Sequence, residues 1–207
     1  MTAAVRAPRT WNGRTVLFRL GPVDVHSYKV ALYVGCVAGV YAGSAMASAR
    51  GLDSSRFALT TIGLLVPALA GARLWYAARH ANFFRADRRR LVRRRDGGAG
   101  LFGGLIAGVL VSIPVLLVVG LPFWAFWDAA VITMLVGLGC TRLGCYMNGC
   151  CAGRRLFEAG LAAVLLAAST ALYRVVPTGT VFVGVVVSYC AGRALWQRRS
   201  RGSVTTG

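Results

Sequence analysis

Acidic residues are scarce in this chain: 6 Asp+Glu stand against 24 Lys+Arg, a formal charge of +18 at pH 7. Such a cationic excess is expected of a nucleic-acid binder, but no basic amphipathic helix and no known DNA-reading module accompanies it. Also missing is a cleavable signal peptide, since the first ~28 residues are polar and Arg-dotted and lack an apolar core of ~7–15 residues. Targeting is therefore expected to rest on the first helix itself. The cysteines lack metal-site spacing as well. Cys140, Cys145, Cys150 and Cys151 run C-x4-C-x4-C-C, whereas structural zinc sites pair cysteines two to four apart, well separated from a second pair. No metal and no cofactor is expected. These cysteines read as small buried apolar residues or, on an extracytoplasmic face, as a disulfide, while Cys36 and Cys190 read as helix-packing residues.

What the chain has in abundance is apolar sequence. It is 57% hydrophobic with a mean hydropathy of +0.61, more apolar surface than a soluble domain of 207 residues could hide. A membrane protein reconciles this with the charge, because the apolar residues meet lipid and the arginines gather beside anionic headgroups. The runs are Val30 to Ala49, Phe57 to Ala78 with Pro67 and Arg73 inside it, Leu101 to about Leu121, about Phe123 to Gly139, about Phe157 to Tyr173, and about Thr180 to Trp196 with Arg193 inside it. Each approaches the ~20 residues needed to cross ~30 Å of hydrocarbon. The expected architecture is all-α, a polytopic membrane helix bundle of about six transmembrane helices, forming one integral membrane domain over residues 1–207. The third and fourth helices, joined by little more than Gly120-Leu121-Pro122, should form a tight antiparallel pair.

Glycines recur every fourth residue at Gly35, Gly39 and Gly43 and again at Gly100, Gly104 and Gly108, a spacing that lets helix backbones approach closely in lipid. A basic loop at about 79–96 holds Arg79, Arg85, Arg88, Arg89, Arg90, Arg93, Arg94 and Arg95 and reads as a topology signal or headgroup contact. With six helices, that loop shares a face with both termini and with Arg142, Arg154 and Arg155. The opposite face carries only Arg50, Arg56 and Arg174, so the positive-inside rule puts the Arg-rich face in the cytoplasm.

Four places could carry chemistry. Arg73 and Arg193 sit within apolar stretches, where an arginine must pair, face a polar cavity or snorkel to the interface. Asp96-Gly97-Gly98 through Gly103-Gly104-Leu105 places adjacent glycines at a helix start, where a phosphate could approach backbone N–H groups. Gly137 to Arg154 packs glycines, arginines, Asn148 and four cysteines into a segment expected to be neither clean helix nor ordinary loop, which membrane depth tolerates only under cover. Arg73, Arg142 and Arg193 together would suit a lipid phosphate, since guanidinium grips phosphate oxygens bidentately.

At these places the sequence resembles the prolipoprotein diacylglyceryl transferase family. Gly21-Pro22 followed by His26-Ser27-Tyr28 is similar to the family's entry into its first helix, and Gly71-Ala72-Arg73 to its second-helix arginine. Asp96 to Leu105 resembles its glycine motif. Gly137-Leu138-Gly139, Arg142-Leu143-Gly144, Asn148-Gly149 and Gly153-Arg154 resemble its signature; Leu156-Phe157-Glu158 and Tyr189 to Arg193 resemble two later helices. The resemblance implies a plasma-membrane enzyme whose lipobox cysteine substrate, on a preprolipoprotein, attacks the glyceryl carbon of phosphatidylglycerol, forming a thioether and releasing glycerol phosphate. Arg142 and Arg193 would clamp the phosphate, Asn148 and Tyr28 would orient the headgroup, and Arg73, Gly98, Gly103, Gly104, Gly153 and Glu158 would line the substrate site. The chain departs from the family at Phe102, where the family carries a histidine, leaving His26 as the candidate base and His80 as a loop residue. Cys145 and Cys150 replace an asparagine and a glutamate, and neither a separate head domain nor a seventh helix follows the signature. The family's signature faces outward, opposite to the charge pattern. The alternative is a non-catalytic phospholipid-binding or assembly protein on the same scaffold; a third reading is a cysteine-dependent redox or metal protein on that scaffold.

Overall fold

The computed structural model describes residues 16–20, 23–80, 100–147 and 155–202. A short antiparallel hairpin, β1 (Val16–Leu20) and β2 (Val23–His26), pairs Phe18 with Val25 and Leu20 with Val23. Six helices follow among the described residues: α1 (Ser27–Ala49), α2 (Ser54–Arg79), α3 (Leu101–Val119), α4 (Phe123–Met147), α5 (Arg155–Leu172) and α6 (Thr180–Gly202). Four of them are long and apolar enough to cross a membrane, and α5 and α6 carry shorter apolar stretches over Leu156–Leu172 and Thr180–Trp196. Their outward side chains, among them Leu59, Val66, Leu69, Leu117 and Val118, are apolar and exposed. That is the pattern of helices whose solvent is lipid. The protein is an all-α polytopic membrane protein.

Helix ends follow local chemistry. Asp53 caps α2, its carboxylate accepting from the N–H groups of Ser55 and Arg56 at 2.9 Å, donors that the first turn would otherwise leave unpaired. Gly120, at φ 74°, closes α3 in the left-handed region and donates to the Leu116 carbonyl. A side chain would oppose that conformation.

The chain divides into two compact units, Met1–Gly43 with Asp128–Gly207, and Ser44–Trp127. In the second, α2 and α3 pack through glycine. A Cβ on Gly71 would lie 2.6 Å from the Gly103 carbonyl oxygen, and a Cβ on Gly103 equally close to that of Gly71. Gly104 meets Ala68 and Ala72, and the Gly100 N–H donates to the Ala72 carbonyl at 2.9 Å. Trp127, which follows the α3–α4 turn, donates from Nε1 to Ser112 Oγ at 3.0 Å. In the first unit, a Cβ on Gly35 would stand 2.7 Å from Cys140 Cβ and one on Gly39 would stand 2.6 Å from the Thr133 carbonyl oxygen, so α1 lies directly on α4. The four-residue glycine spacing thus serves backbone approach at both places.

Two sequence expectations are corrected. The segment from Gly137 is regular helix as far as Met147, not irregular backbone. Gly144 fits closely against α1 within the regular helix, and Thr141 Oγ1 adds a bond to the Gly137 carbonyl at 2.6 Å. The sixth helix continues to Gly202, six residues past the expected end at about Trp196. The basic loop lies outside the described residues beyond Arg79 and His80.

Candidate functional site

Within the first unit, α1, α4, α5 and α6 bring several sequence candidates to one place. Arg142 lies two residues before Gly144, and Gly144 is the seat of the α1 start. A Cβ there would lie 2.5 Å from Ala31 Cβ, 3.3 Å from Tyr28 Cα and 3.7 Å from the Ser27 carbonyl oxygen. Only a glycine allows so close an approach without displacement. The first turn of α1, with Tyr28, is thereby fixed beside the last turns of α4.

Arg142 is held from the other side by Glu158, in the first turn of α5, where a carboxylate is also favoured by the helix dipole. Arg142 Nη2 stands 2.5 Å from Glu158 Oε2, with the side chains 23% and 3% exposed. This is a covered ion pair on a membrane-spanning helix, where an isolated charge would be expensive. The pair does not exhaust the guanidinium, because Arg142 Nε is buried without a hydrogen-bond partner. The buried Tyr189 side chain and the buried Cys145 stand close enough to act on the same group electrostatically.

Arg193 follows Tyr189 by one helical turn, hence on the same side of α6, and is half-buried. Its height is set by two contacts between α5 and α6. Phe157 stacks on Trp196 at 4.6 Å, and a Cβ on Gly192 would meet Leu161 Cδ2 at 3.0 Å. Arg193 falls between these levels, as Glu158 does on the facing helix.

Other candidates are placed differently. Arg73, Gly103 and Gly104 belong to the second unit. Arg73 is half-buried with its guanidinium carbon 6.0 Å from the Tyr76 ring centroid. It stands six residues before the end of α2. Gly103 and Gly104 are occupied by the α2–α3 contact, and Phe102 is exposed at the start of α3. His26 ends β2 next to Ser27, its side chain outside the described set; Gly98, Asn148, Gly153, Cys150 and Cys151 lie outside the described residues altogether. None of the described cysteines, Cys36, Cys140, Cys145 and Cys190, takes part in a disulfide.

One polar group was missed from sequence. Asp128, with no exposed surface, accepts from the Gly179 N–H at 2.7 Å through Oδ2 and from the Phe182 N–H at 2.8 Å through Oδ1. Its carboxylate therefore sits at the start of α6. The available signal was its position, a lone carboxylate within the fourth apolar run, which membrane depth makes conspicuous.

Fold and site together define a polytopic membrane protein with an arginine–carboxylate centre assembled from four helices. A family model for prolipoprotein diacylglyceryl transferase matches residues 15–205, and the chain belongs to that family. It is 29% identical over 133 residues to phosphatidylglycerol–prolipoprotein diacylglyceryl transferase of Bacillus licheniformis, covering 64% of this chain and 49% of that one. The enzyme of the same name from Lactiplantibacillus plantarum is 30% identical, with 64% and 47% covered. That of Rhodopirellula baltica is 29% identical over 174 residues, with 82% and 35% covered. The chain spans about half the length, or less, of these curated relatives.

Proposed function

We propose that this protein is a plasma-membrane transferase that moves the diacylglyceryl group of phosphatidylglycerol onto the lipobox cysteine of a preprolipoprotein. The observation that carries the reading is Arg142, held under cover by Glu158 while its buried Nε remains unpartnered. A guanidinium with a spare donor in a low-dielectric site is suited to a phosphate oxygen, and Arg193 on α6 supplies a second cation.

The chemistry then runs through this chain's residues. The acceptor thiol loses its proton, the thiolate attacks the glyceryl carbon that bears the phosphate, the carbon–oxygen bond breaks, and a thioether forms as glycerol phosphate departs. Arg142 and Arg193 stabilise charge on the departing phosphate. Tyr28, seated by Gly144, and Asn148 orient the headgroup, while Gly153 contributes to substrate binding. His26, at the entry to α1, takes the thiol proton, because thiolate formation needs a base near neutral pH.

The second reading, a phospholipid-binding or assembly protein without turnover, is favoured by one observation: Phe102 occupies the position of the histidine that the resemblance calls for. Complementation separates the two. The chain is expressed in a strain depleted of its own transferase, with Arg142→Ala and Arg193→Ala beside it. Lipidation of a reporter lipoprotein by the unaltered chain and its loss in both variants is expected. Normal membrane insertion with no lipidation would overturn the enzyme reading. Thiol labelling of Cys150 on intact cells tests the required outward face, and protection until permeabilisation counts against it.

A further inference from the structure

The first turn of a helix is usually capped by the residue just before it, as Asp53 caps α2. At the start of α6 the preceding residue is Gly179, which has no side chain to offer. The acceptor comes instead from Asp128 on α4, distant by 51 residues from Gly179 and 54 from Phe182 in the chain. The cap of α6 is therefore also a strut between α6 and α4.

We propose that Asp128 is a positioning residue, which fixes the height and rotation at which α6 presents Tyr189 and Arg193 to Arg142. The part of this claim that concerns lipid rests on the function proposed above. Helix geometry carries the argument. Asp128 and Arg142 lie fourteen residues apart on α4, which at 1.5 Å and 100° per residue is about 21 Å and within about 40° of one face. On α6, Tyr189 and Arg193 lie seven and eleven residues beyond Phe182, about 10 and 16 Å along the axis and within about 20° of its face. The two helices thus meet at two levels, Asp128 with Gly179 and Phe182 at one, Arg142 with Tyr189 at the other. An arginine side chain leans toward the N-terminus of its own helix, which lowers the Arg142 guanidinium toward the level of Tyr189.

A carboxylate holding two N–H groups on successive sides of the helix start resists both sliding and rotation of α6, as a single bond would not. Released from it, α6 keeps its contacts with Leu161 and Phe157 but loses one of its two ties to the helix that carries Arg142. Displacements of about 1 Å at a reacting centre can cost about 10²-fold in rate, so a small shift is enough to matter.

The test compares Asp128→Ala with Asp128→Asn, which keeps the shape and one acceptor oxygen. Spin labels attached through unnatural residues at the exposed Leu143 and Leu195 report the α4–α6 distance in nanodiscs of phosphatidylglycerol and phosphatidylcholine. Binding of phosphatidylglycerol is measured on the same samples. Asp128→Ala is expected to shift or broaden the distance distribution and to weaken binding by about tenfold or more, with Asp128→Asn intermediate. Combining Asp128→Asn with Arg193→Ala is expected to lose no more than Arg193→Ala alone, the sign that one residue acts through the other. An unchanged distribution in Asp128→Ala overturns the proposal, and so do losses that simply multiply in the double variant. Absence of phosphatidylglycerol binding by the unaltered protein refutes the lipid function instead, and the spin-label distances still score the strut on their own.

Discussion

Removing Glu158 is the most direct probe of the site, because it leaves Arg142 in place with its partner gone. The Arg142–Glu158 pair is covered, 23% and 3% exposed, at 2.5 Å. Breaking a buried pair from one side costs about 3–5 kcal/mol, because the remaining charge is stranded. The residual exposure of Arg142 lets water and headgroups recover part of this, so the lower end, about 3 kcal/mol, is expected for Glu158→Ala. Replacing both partners with apolar residues of similar size, Arg142→Met with Glu158→Leu, strands nothing and should return stability to within about 1 kcal/mol of the original. The two variants should diverge in function, the double one being stable but unable to bind phosphatidylglycerol. Reversible unfolding in bicelles, followed by tryptophan fluorescence, measures the stability of each. If Glu158→Ala were as stable as the unaltered protein, the pair would not be what holds Arg142 under cover, and the case for a poised guanidinium would fail.

Gly144→Val is expected to drive the start of α1 away from α4, since a Cβ there already approaches Ala31 Cβ to 2.5 Å. Insertion should survive while phosphatidylglycerol binding falls by about tenfold, read by lipid titration in nanodiscs. In the second unit, Gly103→Leu overpacks the α2–α3 contact against Trp75 and Gly71 and should cost about 1–3 kcal/mol, visible as a lowered midpoint in the same unfolding assay.

Much of the fold was legible because lipid imposes simple rules. A run such as Val30 to Ala49 has few alternatives to a spanning helix, and Gly35, Gly39 and Gly104 announced close backbone approach by spacing alone. The segment after Gly137 misled for the same reason. Glycines and cysteines in succession resemble a loop, but at Gly144 they exist so that α1 can lie on an intact helix. The site was legible as a set of residue types and not as a geometry. Arg142, Glu158 and Tyr28 stood out individually, yet nothing in their spacing says that Glu158 is the carboxylate that reaches Arg142. Asp128 was hidden more deeply, since its meaning lies in two N–H groups more than fifty residues downstream.

That separation has a consequence for how the protein is made. Asp128 leaves the ribosome before its partners exist, and at about 5–20 residues per second the 51 residues to Gly179 take some 3–10 s to translate. During that interval α4 must lodge in the insertion machinery or the bilayer with a carboxylate that lipid disfavours. The arrival of α6 supplies the Gly179 and Phe182 N–H groups that this carboxylate accepts from. Biogenesis of the site therefore has a built-in order, in which the helix bearing Arg193 both completes the centre and releases α4 from its unfavourable wait.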